Sequence, residues 1–159
     1  MVEALASRLS RQLSDKGFFL RTGDAKGMDT AFWRGAASDR RLRFRSRDAK
    51  PWAFDMVQKY LPDDRSGFGN WSPYVQGLMA RNMMQVLGDD GNSPSDFLIC
   101  YTPVLHYHNS ECGGTGYAIR CALDHSIPVF NLKDSKIFES CRKSLPNEAE
   151  EEAWWKKQK

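Results

Sequence analysis

The chain has 159 residues, of which 41% are hydrophobic and 27% charged; this composition excludes a disordered polyelectrolyte and suits one packed domain. Lys and Arg number 23 against 20 Asp and Glu, a net charge of +3 too small to mark a nucleic-acid binder by itself. No run approaches the roughly 20 apolar residues of a membrane span, the N-terminus carries no signal-peptide apolar core, and Cys100, Cys112, Cys121 and Cys141 read as free thiols of a cytoplasmic protein.

Leu5, Leu9 and Leu13 recur at helical spacing and Gly17 stands where such a helix would end. Phe18-Phe19-Leu20 then reads as a buried strand, followed by a first glycine loop, Thr22 to Asp29, and a helix over Thr30 to Ala37. Leu42 to Arg45 alternates as a second strand does, and Pro51 begins a helix through Trp52, Met56 and Tyr60. A long irregular connection from Leu61 to Pro73 leads to a helix over Val75 to Leu87, which Gly88 closes. Phe97 to Tyr101 is a continuous apolar run, predicted to be a central strand buried on both faces. A second glycine cluster, Gly113 to Gly116, opens a helix through Tyr117, Ile119, Ala122 and Leu123, and Ile127 to Asn131 follows as a strand. Strands alternating with helices predict an α/β fold with one mostly parallel sheet, a single Rossmann-like domain over residues 1–145, and an acidic, tryptophan-containing tail over 146–159.

In such a sheet, ligands collect beyond the carboxyl ends of the strands, where both glycine loops lie. Glycine lets backbone approach an anion, and the free amides and positive dipole end of the following helix favour phosphate. Arg21 and Lys26 offer charge-assisted contacts, Thr115 a hydroxyl, and Asp24 or Asp29 an acceptor for ribose or a base amino group. Neither loop is the full dinucleotide fingerprint or a phosphate loop ending in Lys-Ser/Thr; the bland alternative is that Gly23, Gly27, Gly113 and Gly114 only permit tight turns.

Thr22-Gly23-Asp24-Ala25-Lys26-Gly27-Met28-Asp29 with Ala31-Phe32 resembles the Ser-Gly-x-Ala-x-Gly-Ile-Asp-x-x-Ala-His loop of the DNA-processing protein DprA and its wider SLOG superfamily. Bacteriophage-encoded DprA-like proteins resemble the chain from about Leu9 to Leu132, through Arg81-Asn82, Gln85 to Gly88, Phe97 to Cys100 and Gly113 to Arg120. The resemblance implies a Rossmann-like sheet that binds nucleotides or their derivatives. Lonely-guy phosphoribohydrolases carry Pro-Gly-Gly-x-Gly-Thr-x-x-Glu; here Cys112 replaces the Pro, Tyr117 the Thr, and Arg120 stands at the catalytic Glu. A guanidinium is no general base, so the resemblance implies binding without hydrolysis. Phe32 occupies the His position of the DprA loop.

The predicted ligand set is Arg21, Gly23, Asp24, Lys26, Gly27, Asp29, Arg81, Asn82, Thr102, Gly113, Gly114, Thr115, Gly116 and Arg120, with no catalytic residue, metal or cofactor. Arg81 and Asn82 either reach the pocket or cap neighbouring loops. His106, His108 and Cys112 fit no zinc spacing; Cys100 and Cys121 read as buried small hydrophobes with no nearby histidine evident. Tyr107, Trp71 and Phe68 stack on a base or pack as a lid, and Trp154-Trp155 closes a dimer interface or frays. The expected function is sequestration of a nucleotide-derived signal, such as a cyclic ADP-ribose isomer, by a phage-like counter-defence protein acting as a homo-oligomer. The alternatives are an N-glycosidic hydrolase using Asp24, Asp29 or Glu111, and a single-stranded DNA binder using the strip of arginines from Arg40 to Lys50.

Overall fold

The computed structural model describes residues 1–63, 67–147 and 149; Glu148, the glutamates at 150–152 and the tryptophans at 154 and 155 lie outside the described residues. The chain forms α1 (Val2–Asp15), β1 (Leu20–Thr22), α2 (Met28–Gly35), β2 (Arg41–Arg43), α3 (Pro51–Lys59), α4 (Pro73–Leu87), β3 (Leu98–Cys100), α5 (Gly113–Asp124), β4 (Val129–Asn131) and α6 (Ser135–Ser144). Among the described residues, no helix is long and apolar enough to cross a membrane.

Local chemistry explains most boundaries. The first helix ends at Lys16, and Gly17, at φ 93°, takes the left-handed conformation that turns the chain toward β1. Pro51 and Pro73 occupy first-turn positions, where a missing N–H costs nothing, and the Ser72 hydroxyl accepts the Val75 N–H. At α6 the Asp134 carboxylate accepts the N–H groups of Lys136 and Ile137.

The strands lie between two helical layers. On one side, α3, α4 and α5 bury Val57, Met83, Met84, Val86, Leu87 and Cys121, with Leu98 and Val129 packed against them. On the other, Leu5 and Leu9 of α1 meet Leu132 and Leu145, with Ile137, Phe138 and Ile99 alongside, while Ala31 and Phe32 of α2 pack near Leu20. Leu98 and Ile99 thus turn to opposite layers, as the period of two in a strand requires. Each fully buried aliphatic side chain contributes about 1.5–3 kcal/mol. The contact between α1 and α2 is backbone-close: a Cβ on Gly35 would lie 1.9 Å from the Ser7 carbonyl oxygen, so no larger residue fits there.

The expected single sheet is divided. β1 pairs in parallel with β2, Leu20 opposite Arg41 and Thr22 opposite Arg43, and β3 pairs in parallel with β4, Leu98 opposite Val129 and Cys100 opposite Asn131, but no ladder joins β1 to β3. The segment predicted as a central strand is therefore the edge of a two-stranded sheet. The first strand also begins two residues later than expected, leaving Phe19 58% exposed; α2 starts at Met28 rather than Thr30, and Leu123 of α5 faces outward. Just before β1 and β3 the halves are joined by an aromatic edge, Phe97 packing T-shaped against Phe18 at 5.4 Å between centroids; within the second half Phe97 also meets Phe130, at 6.0 Å.

Candidate functional site

Two consecutive residues of α4 hold the two glycine loops. Arg81 and Asn82 are both buried; Arg81 Nη1 lies 2.6 Å from Asp24 Oδ1 in the first loop, and Asn82 Nδ2 donates to the Gly114 carbonyl, at 2.9 Å, in the second. Because side chains at neighbouring helix positions diverge by about 100°, one helical turn can reach both loops at once. Of the two sequence expectations for this pair, pocket contact and loop capping, the structure displays both, since both residues also line the cavity described below.

The first loop is shaped to admit the arginine. A Cβ on Gly23 would lie 2.6 Å from Arg81 Cζ and 2.8 Å from Asp29 Oδ2; the absence of a side chain there is what lets the guanidinium lie against the loop. Within the loop Asp29 Oδ2 accepts the Ala25 N–H at 3.2 Å and the Thr30 hydroxyl donates to the Ala25 carbonyl at 3.0 Å, closing the turn on itself. The Arg81 Nε is buried and has no hydrogen-bond partner. Such a donor costs about 1–3 kcal/mol when left unsatisfied.

A cavity of about 870 Å³ extends from these loops down between β1 and β3. Of the predicted set, Arg21, Lys26, Asp29, Arg81, Asn82, Gly114 and Thr115 line it, whereas Gly23, Asp24, Gly27, Thr102, Gly113, Gly116 and Arg120 do not. A smaller cavity of about 350 Å³ borders the same second loop at Gly113 and Gly114, with Trp71, Ser72, Val75 and Met79. The first turn of α5 thus borders both spaces, at the positive end of the helix dipole.

Several predicted anchors make contacts within the protein itself. The Arg21 guanidinium donates to the Ser93 carbonyl, at 2.5 Å, and stands 3.4 Å from the Ser95 hydroxyl, so it ties β1 to the segment before β3. Arg120 is buried; its Nε donates to the Tyr60 carbonyl at 2.8 Å, its Nη1 to the Tyr107 carbonyl, and it lies over the Tyr117 ring at 4.7 Å. Its charge is thereby directed to the end of α3 and the loop before α5. Thr102 exchanges backbone hydrogen bonds with the Asn131 amide, both at 3.2 Å, and its hydroxyl is buried without a partner. Asn131, 1% exposed, also meets the Lys133 N–H and the Tyr107 hydroxyl. It joins the ends of β3 and β4, a role for which nothing in the sequence distinguished it from an ordinary strand terminus.

The other constellations resolve as follows. Cys112 Sγ donates to the His106 carbonyl, and no group of three or more His, Cys, Asp or Glu among the described residues could hold a metal. Trp71 packs edge-on against Phe68 and Tyr117. In the basic strip, Arg41 and Arg43 lie over Trp33, at 4.3 and 3.9 Å, and Arg40 over Phe19, at 5.0 Å, so three of its guanidinium groups are engaged with aromatic rings of the chain. A histidine does stand near Cys121. His125, four residues on and capping the end of α5, places Nδ1 3.9 Å from Sγ and 2.9 Å from the Cys121 carbonyl; the i, i+4 spacing was the signal. Burial pushes the Cys121 thiol up to about 12, which removes the thiolate a nucleophile needs. Beside it, burial raises the Tyr60 hydroxyl, which donates to Asp124, and the hydrogen bonds of Lys59 and Tyr60 hold the Asp124 carboxyl below its ordinary range.

No family model, no curated protein and no solved structure matches this chain.

Proposed function

We propose that the chain is a Rossmann-like, SLOG-type binding protein that captures a phosphate-bearing nucleotide derivative and holds it without cleaving it. The observation that carries this reading is Arg81: a buried cation with an unpartnered Nε, lining the cavity between two glycine loops. A phosphate oxygen would satisfy that donor by a charge-assisted hydrogen bond. The amides of the Gly114-Thr115 turn and the Thr115 hydroxyl would take the remaining oxygens, favoured by the α5 dipole, and Lys26 would add charge at the first loop.

Retention rather than turnover is supported by what occupies the hydrolase position. Arg120 stands at the sequence position of the hydrolase glutamate and is engaged by the Tyr60 and Tyr107 carbonyls. Asp24 pairs with Arg81, and Asp29 accepts the Ala25 amide, so both carboxylates serve to hold the first loop. The resemblance to phage-encoded DprA-like proteins supports a role in sequestering a defence signal of nucleotide origin.

The test is to incubate the purified protein with a nucleotide extract containing cyclic ADP-ribose isomers, release what it retains by heat, and identify it by mass spectrometry. An intact phosphorylated nucleotide in stoichiometric amount is expected. Free base with ribose phosphate would instead make the protein a hydrolase, and no retained small molecule would overturn the reading.

A further inference from the structure

The cavity is far longer than a phosphate requires, and its walls include two strand edges. The ladder of β1 with β2 uses the backbone of Leu20 and Thr22, since the Thr22 carbonyl accepts the Phe44 N–H. The ladder of β3 with β4 uses Leu98 and Cys100, which donate to Pro128 and accept from Leu132, respectively. Backbone groups in a strand alternate in direction, so Arg21 and Ile99, the middle residues, turn their N–H and C=O groups away from their ladders and toward the gap between β1 and β3. Both residues line the cavity. Each strand thus offers one donor and one acceptor to a cavity whose walls include Leu20, Phe32, Leu98 and Ala118. Polar backbone flanked by apolar side chains is costly to leave unmatched.

We infer that this slot takes the nucleobase of the bound ligand, the base edge pairing with the backbone N–H and C=O of Arg21 or Ile99 while the phosphate occupies the Arg81 end of the same cavity. This inference rests on the phosphate reading above and extends it. A nucleobase is a flat ring with apolar faces and an edge on which donor and acceptor stand side by side, which is the complement of a strand edge beside apolar side chains. The cavity, at about 870 Å³, lies within the roughly 300–1,000 Å³ of small-molecule sites, and its continuity from the glycine loops to the strands lets one molecule reach both. Recognition by backbone places base selection in the geometry of β1 and β3 rather than in any side chain.

The test compares the four nucleoside 5′-monophosphates with ribose 5-phosphate by calorimetry on the intact protein, and follows amide hydrogen exchange of Arg21 and Ile99 with each. At least one monophosphate is expected to bind ten-fold or more tightly than ribose 5-phosphate and to slow exchange at one or both of these amides at least ten-fold. Equal affinity for all five would overturn the base slot and leave the phosphate site standing. Tighter binding of a monophosphate with unchanged exchange at both amides would also overturn it, placing the base elsewhere. Failure of all five to bind would overturn the slot together with the phosphate site. As a check on the slot itself, Ala118→Leu, which adds bulk on the cavity wall at a helix position, is expected to abolish the advantage of the monophosphate while binding of ribose 5-phosphate persists; an undiminished advantage would refute the assignment.

Discussion

Asp24 competes for the same guanidinium that the proposed ligand needs: its Oδ1 lies 2.6 Å from Arg81 Nη1, with the arginine side chain 8% and the aspartate 45% exposed. The carboxylate holds the arginine in place while no anion is bound, and its negative charge opposes the approach of a phosphate. Asp24→Asn is therefore expected to raise affinity for ribose 5-phosphate several-fold while lowering the melting temperature of the free protein, because a buried cation loses its counter-charge. Calorimetry and thermal unfolding read the two effects separately. A loss of affinity would mean that Asp24 itself touches the ligand.

Arg81→Ala removes the orphaned donor and is expected to weaken phosphate binding by ten-fold or more, in line with about 1.5–3 kcal/mol for a hydrogen bond to a charged group. Arg81→Lys should recover little of it, since an ammonium lacks the planar fork that meets Asp24 and a second acceptor together. Full recovery in the lysine variant would show that charge alone matters.

Substitution of Gly23 tests the same contact from the other side. Gly23→Ala brings a Cβ within 2.6 Å of Arg81 Cζ, so the guanidinium must move; binding should fall while the fold survives, because the far end of a side chain can give way. Gly35→Ala meets the Ser7 backbone at 1.9 Å instead and should destabilise the protein by about 3 kcal/mol, at the upper end of overpacking costs. Denaturant unfolding distinguishes the two variants, and equal stability losses would contradict this difference.

Arg120 is expected to act through stability. Arg120→Glu removes the donors to Tyr60 and Tyr107 and buries a carboxylate beside carbonyl oxygens, so the melting temperature should drop steeply, while Arg120→Lys, which keeps charge but not the fork, falls between. Ligand affinity per folded molecule, measured below the melting transition, should remain near that of the unchanged protein for the lysine variant.

Burial raises both the Cys100 and Cys121 thiols to about 12. An unfolded thiol ionises near pH 8.5, so between about pH 8.5 and 12 the unfolded chain sheds protons that the folded chain keeps, and stability falls as pH rises across that window. Below pH 8.5 these groups add no pH dependence. Cys100→Ala should flatten the alkaline limb of the stability curve, and alkylation at pH 8 should reach Cys141, the only one of the four that is not fully buried, first. Rapid labelling of Cys121 would contradict its burial.

The parts of the fold that follow from local chemistry were legible in the sequence. Pro51 and Gly88 mark helix ends, although α4 begins at Pro73 rather than Val75; the first glycine loop falls between strand and helix, and the second cluster opens α5 as expected. Division of the sheet was not legible, because pairing of β1 with β3 depends on how α4 seats beneath both strands and leaves no periodic trace in either one. The partners of Arg120 and Arg21 are distant carbonyls, and nothing near either residue in the chain announces Tyr60 or Ser93. Helix α6 escaped notice although Asp134, with Ile137, Phe138 and Cys141 behind it, is a capped amphipathic pattern.

The missing ladder between β1 and β3 bears on how the chain acquires its structure. Residues 1–43 contain both partners of the first strand pair together with α1 and α2, and residues 98–131 contain both partners of the second together with α5. Each pair closes over a short stretch of chain, at low entropic cost, before the other exists. Refolding is then expected to pass through two independently nucleated halves whose late event is the docking of α4, so that substitutions at Arg81 and Asn82 alter the unfolding rate far more than the folding rate.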